Sequence, residues 1–75
     1  MDRIKEVEIK TKEIKLDQFL KLANIIGTGG EARFFIQENS ILINNVPEDR
    51  RGRKLRNGDI IKINDKEYRI VQMVK

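Results

Sequence analysis

The sequence predicts an α+β domain in the order strand, two short helices, then several short strands. Three observations carry this. Seventy-five residues hold one domain and leave no room for a second core of useful size. Apolar residues at a spacing of three and four fall only between Leu16 and Ile36. On either side, short β-branched stretches alternate with charge and are punctuated by Asn and Gly. With 39% apolar and 37% charged residues, a single thin core under a charged surface is the expected outcome. A chain of this size buries only about 60% of its unfolded surface, so each large side chain counts.

Residues 4–9 predict an edge-type strand, with Val7 and Ile9 alternating against charge. From Leu16 the spacing turns helical through Phe19, Leu20, Ala23 and Ile26, with Asp17 in the first turn where an acid suits the helix dipole. Gly27 is the expected stop. Thr28-Gly29-Gly30-Glu31 reads as a capping box that opens a second helix, which runs to about Glu38 with Ala32, Phe35 and Ile36 inward. Asn39 suits a left-handed stop. Ile41 and Ile43 then alternate around Leu42, and Asn44-Asn45 can take the positive φ of a two-residue hairpin turn before Val46-Pro47. A basic loop leads to Lys54-Leu55. The turn signal Arg56-Asn57-Gly58-Asp59 precedes a strand over Ile60–Ile63, and Asn64-Asp65 turns into a last strand over Glu67–Val74. There is no internal repeat, linker or low-complexity stretch.

Composition removes several classes of function. Without cysteine there is neither a disulfide nor a thiolate metal site, and without histidine the usual zinc ligand and proton shuttle are missing. The longest apolar runs, Phe34-Phe35-Ile36 and Ile41-Leu42-Ile43, are far short of the roughly 20 residues of a spanning helix. Met1-Asp2-Arg3 is followed by Lys5, Glu6 and Glu8, so no signal-peptide core is expected. These features predict a cytoplasmic, non-catalytic protein with no cofactor, metal, membrane or small-molecule substrate, and a monomer.

The net charge of +4 is unevenly spread: residues 27–49 sum to −3 and residues 50–75 to +6. Arg50, Arg51, Arg53, Lys54 and Arg56 fill five of seven consecutive positions with no acid among them. Such a run repels itself and is either a solvated loop or a surface for a polyanion. Four of the five are arginine, whose planar fork matches phosphate oxygens.

Lys15-Leu16-Asp17-Gln18-Phe19-Leu20, Glu31-Ala32 leading to Phe35-Ile36, Ile41-Leu42-Ile43-Asn44 and Leu55-Arg56-Asn57-Gly58-Asp59-Ile60-Ile61 occur in a familiar order. The ordered set resembles the alpha-L RNA-binding motif, the domain named after ribosomal protein S-four, over about residues 14–63. Gly29-Gly30-Glu31-Ala32 and Asp49-Arg50-Arg51-Gly52-Arg53-Lys54-Leu55 look most like its short stand-alone bacterial YaaA-like type. The resemblance implies two short helices packed against a small curved, mostly antiparallel sheet. It also implies binding to structured RNA, often ribosomal, through the helical corner and adjoining β-loop. Two departures stand out. Many members carry basic residues just after the serine or threonine that opens the second helix, where this chain has Gly29 and Gly30, so a side-chain clamp does not carry over. Asn39 and Asn45 occupy positions where glycine is usual, and asparagine tolerates positive φ.

The candidate RNA-binding residues are Arg50, Arg51, Arg53 and Lys54 in the loop, Arg33, Gly29 and Gly30 at the second helix, and Lys21 and Lys15 on the first. The bare amides of Gly29 and Gly30 would admit a phosphate, although the glycines would equally serve a tight helix–helix corner. Arg33 is the one basic residue between Lys21 and Arg50 and is expected to project outward near that corner. Phe34 sits at the margin of the second helix's inner face. Packing on the N-terminal strand is its expected role, and stacking on an unpaired base the alternative. Phe19 and Tyr68 read as core. Rival readings are a protein-interaction module docking an acidic partner through the loop, a DNA-binding helical pair with Arg33 as base reader, and acid–base chemistry by Asp49 and Asp59.

Overall fold

The computed structural model describes residues 4–73. The charged opening Met1–Arg3 and the predicted strand end at Val74 lie outside the described residues. The elements are β1 (Ile4–Ile9), β2 (Glu13–Lys15), α1 (Leu16–Leu22), α2 (Gly29–Glu38), β3 (Ile41–Ile43), β4 (Val46–Pro47), β5 (Lys54–Arg56), β6 (Ile60–Ile63) and β7 (Lys66–Gln72). Five strands form one sheet in the order β1-β7-β6-β3-β4, and β2 pairs with β5 in a separate two-stranded ribbon. All pairings are antiparallel except β1 with β7. The predicted α+β class stands, with β1 at the predicted sheet edge. Among the described residues, no helix is long and apolar enough to cross a membrane.

Alternation builds the core. Val7, Ile9, Ile41, Ile43, Ile61, Ile63, Tyr68 and Ile70 are buried at every second position of their strands. Registers Ile43↔Ile61, Ile61↔Tyr68 and Val7↔Ile70 set them side by side. Leu16, Phe19 and Leu20 of α1, with Ala32 and Ile36 of α2, close the other side. Phe19 meets Tyr68 edge to face, with centroids 5.7 Å apart and planes at 80°.

The turns follow their predicted chemistry in most places. Asn44 and Asn45 both have positive φ, at 52° and 70°, as a two-residue hairpin with right-twisted strands demands. Gly58 sits at φ 91° in the β5–β6 turn, where any side chain would be strained. Thr28 and Glu31 form the capping box, and one Glu31 carboxylate oxygen accepts the amides of Thr28 (3.0 Å) and Gly27 (3.1 Å).

Three local expectations are corrected. Helix α1 ends at Leu22, not Gly27, because Asn24 takes the left-handed conformation (φ 60°) and the amides of Asn24 and Ile25 turn back onto the carbonyls of Lys21 and Leu20. Ile26 is still buried, but from the turn. Asn39 is extended (φ −127°) rather than left-handed. Its side chain ends α2 by donating to the Phe35 carbonyl at 2.9 Å and accepting from Asn64. The ribbon strand β2 has no counterpart in the sequence-based expectation, since three residues carry too little alternation to register.

Candidate nucleic-acid interface

The basic loop is fixed to the first turn of α1 by backbone bonds. Helix α1 has no side-chain N-cap. Its first two amides, those of Leu16 and Asp17, donate instead to the carbonyls of Arg53 (2.8 Å) and Arg51 (3.1 Å). The loop enters through the Glu48 amide bonded to Ile41 (3.0 Å) and leaves through β5 paired on β2. Leu55, fully buried at the centre of β5, turns Lys54 and Arg56 outward together. Arg50, Gly52, Arg53, Lys54, Arg56 and Asp59 line an open concavity of about 710 Å³.

Acids outside the run neutralise part of it, which corrects the picture of a self-repelling solvated loop. The Glu48 side chain, only 6% exposed, accepts from Arg50 Nε (2.9 Å), Arg50 Nη2 (3.1 Å) and Arg53 Nη1 (3.2 Å). It also takes the backbone amides of Asp49 (3.2 Å) and Arg50 (3.0 Å). Glu13 on β2 pairs with Lys54 (3.3 Å) and Arg56 (3.3 Å). Among the described residues, Arg51 has no carboxylate partner. A guanidinium has five donors, so Arg50, 73% exposed, keeps N–H groups for a ligand after binding Glu48. Arg53 is 32% exposed and partly committed inward.

The Arg50 guanidinium, followed by the Arg50 amide and Arg53, holds the Glu48 carboxyl at about 2 against an ordinary value of 4.5, although burial works the other way. Hydrogen bonding to Lys54 likewise lowers Glu13. A depressed folded-state value gives stability that is fully present above the unfolded value and is lost as pH falls through the folded one. Thermal unfolding of the full chain should therefore lose stability progressively from about pH 4.5 toward pH 2. Glu48→Gln should flatten that decline; an equal decline in both proteins would show that Glu48 carries none of it.

Of the other candidates, one adjoins the loop and the rest belong to the helices. Lys15 stands opposite Lys54 in the β2–β5 register and extends the cationic edge. Lys21 is exposed in the last turn of α1, while Gly29, Gly30 and Arg33 belong to the start of α2 beyond the corner. The loop docks at one end of α1 and the corner follows its other end, a helix length of about 10 Å away. A Cβ at Gly29 would meet nothing within 4 Å and one at Gly30 only Thr28 Oγ1 at 3.9 Å, so the corner itself demands neither glycine. Gly27 is the crowded position, with a Cβ contact of 3.2 Å to Glu31.

Two further expectations are resolved. Phe34 is 68% exposed, so its expected packing on the N-terminal strand is corrected: α2 turns Ala32 and Ile36 inward and leaves Phe34 on its outer flank. Asp49 and Asp59 line separate concavities. Asp59 is occupied by the Arg56 amide (2.8 Å) and Asn44 (3.1 Å). Sequence reasoning missed Glu48 and Glu13 as organisers and left Arg56 out of the site. The available signal was Glu48 standing two and five residues before the arginines it holds.

Comparison with known proteins agrees with this architecture. "Probable ribosome maturation protein RlbA" of Bacillus subtilis (strain 168) is 49% identical over 57 residues, 76% of this chain and 80% of that protein. The family model for the S4 domain matches residues 7–71, from the edge strand β1 almost to the end of β7, and on that match the chain belongs to the S4 domain family.

Proposed function

We propose that the chain is a non-catalytic, ribosome-associated RNA-binding module of the cytoplasm, with structured ribosomal RNA as its ligand. The observation that carries this is the ordered loop: a backbone pinned on α1 and β2 sets Arg50, Arg51, Arg53, Lys54 and Arg56 around or beside one open concavity. Fixed arginine forks suit phosphate oxygens, and pre-ordering lowers the cost of binding. S4-family membership and the ribosome-maturation name of the relative support the same direction. Arg33 and the bare helix start at Gly29-Gly30 form a second, weaker contact that a folded RNA would reach along α1. Three phenylalanines and one tyrosine, two of these four rings used in the core contact of Phe19 with Tyr68, leave too few for single-strand stacking to dominate. Phosphate and shape recognition remains.

The test is the affinity of the full chain for labelled rRNA hairpins and for duplex DNA at several salt concentrations. With about five phosphate contacts, log affinity should fall against log salt with a slope of roughly 3.5 to 4.5, and RNA should be preferred over the duplex. Pull-down from extract should lose its bound material after RNase treatment. Retention of a protein partner through RNase, with no affinity for the hairpins, would overturn the proposal in favour of an acidic protein ligand.

A further inference from the structure

The outer flank of α2 carries a feature that RNA binding does not use. Glu31, Phe34, Phe35 and Glu38 fall at i, i+3, i+4 and i+7, so they share one face of the helix. That face borders Ile25 and Ile26 from the corner, and together these six residues line a shallow groove of about 280 Å³. A neighbouring hollow of about 300 Å³ shares Ile25 and Phe35 and continues the apolar surface to Ile63 and Tyr68, with Asp65 and Lys66 at its edge. Phe34, 68% exposed, is the most exposed large apolar side chain among the described residues. One exposed phenylalanine beside half-buried Ile25 and Phe35, with an acid at each end, marks an interaction surface. Arg33 falls on the opposite flank by helical spacing, so α2 separates a cationic side from an acidic one.

Charge decides between occupants. An RNA base stacked on Phe34 would bring its phosphates past Glu31 and Glu38. A second copy on a two-fold axis would set this face against itself and oppose carboxylates to carboxylates. We infer that the groove receives a basic amphipathic polypeptide helix, whose apolar side chain seats between Phe34 and Ile25 while Lys or Arg at about i and i+7 reach Glu31 and Glu38. The two acids are spaced about 10 Å along α2, the rise that seven helical residues supply on the occupant as well. The surface is small, so binding is weak, in the micromolar range or above. A protein holding RNA by its loop and a basic protein segment by α2 would bridge the two components of a ribonucleoprotein particle.

The test uses 15N-labelled full-length chain and a synthetic 18-residue helical peptide with a leucine stripe flanked by lysines at i and i+7. The control peptide replaces those lysines with glutamate. The lysine peptide should shift the amide signals of Ile25, Phe34, Phe35 and Glu38, leaving those of Arg50 to Arg56 in place, and the glutamate peptide should not. Phe34→Ser should weaken the peptide at least tenfold and Glu38→Lys at least fivefold, with rRNA affinity changed less than twofold in both. Both side chains are exposed, so neither change should disturb the fold, and the two variants check one another. Shifts elsewhere, or indifference to both variants, would overturn the inference. So would a tenfold loss of RNA affinity in Phe34→Ser, which assigns Phe34 to a base, or a Phe34-dependent dimer in sedimentation equilibrium, which assigns it to a second copy. Failure of RNA binding itself would leave the peptide result unaffected.

Discussion

An Arg50→Gln/Arg51→Gln double variant is expected to bind structured rRNA roughly 10- to 100-fold more weakly at physiological salt, with a salt slope lower by about two. Arg51 has no carboxylate partner among the described residues, and Arg50 offers Glu48 only part of its donor set. These are therefore the two loop arginines with most left to give a phosphate. Glutamine is shorter and uncharged, with two N–H donors in place of five, and it brings no new acid to the edge of Glu48. The reversal Arg51→Glu/Arg53→Glu should abolish binding altogether, but by two routes at once. A carboxylate at position 53 would face the poorly exposed Glu48, and the loop would open as the positive charge is lost. The glutamine pair adds no repulsion at Glu48, although it removes the two Arg50 bonds to that carboxylate: circular dichroism should be unchanged while the slope falls. A slope that stays at its wild-type value would remove the loop from the interface.

The sequence was most informative where chemistry is local. Thr28 and Glu31 are three residues apart and close their box with no help from the rest of the fold. Asn44-Asn45 and Gly58 take the positive φ that their turns require. Errors arise where a left-handed residue interrupts a continuing pattern or where a distant partner decides. The helical spacing of α1 runs on through Ala23 and Ile26, but Asn24 ends the helix and Ile26 is buried from a turn. Asn39 reads as a left-handed backbone stop for α2; it ends the helix through its side chain, together with Asn64 on another turn. Strand β2 exists because β5 is opposite it, and the parallel pairing of β1 with β7 joins the two ends of the chain. At the site, arginines 50, 51 and 53 were legible as a run. Their organiser was not, because the charge blocks divide between Asp49 and Arg50 and place Glu48 in the acidic half.

That organiser gives the second large effect. Glu48→Gln is expected to lower the melting temperature by several degrees and to weaken rRNA binding roughly tenfold. The carboxylate gathers two backbone amides and three guanidinium N–H groups, which one neutral amide oxygen cannot replace. Once released, Arg50 and Arg53 must be ordered during binding, at about 0.5–1.5 kcal/mol for each long side chain, and the two together account for a tenfold loss. The charges that meet phosphate all remain, so the salt slope should not fall. The two variants thus part cleanly: the arginine pair loses slope, whereas Glu48→Gln loses affinity at constant or steeper slope. Glu48 also competes with phosphate for the same N–H groups, and removing a competitor acts in the opposite direction. The geometry favours the organising role, because Glu48 is held by the loop backbone as well as by the arginine side chains, and Arg50 still presents outward donors. Tighter binding by Glu48→Gln across the whole salt range would reverse that judgement and make the carboxylate a mask over the arginines rather than their support.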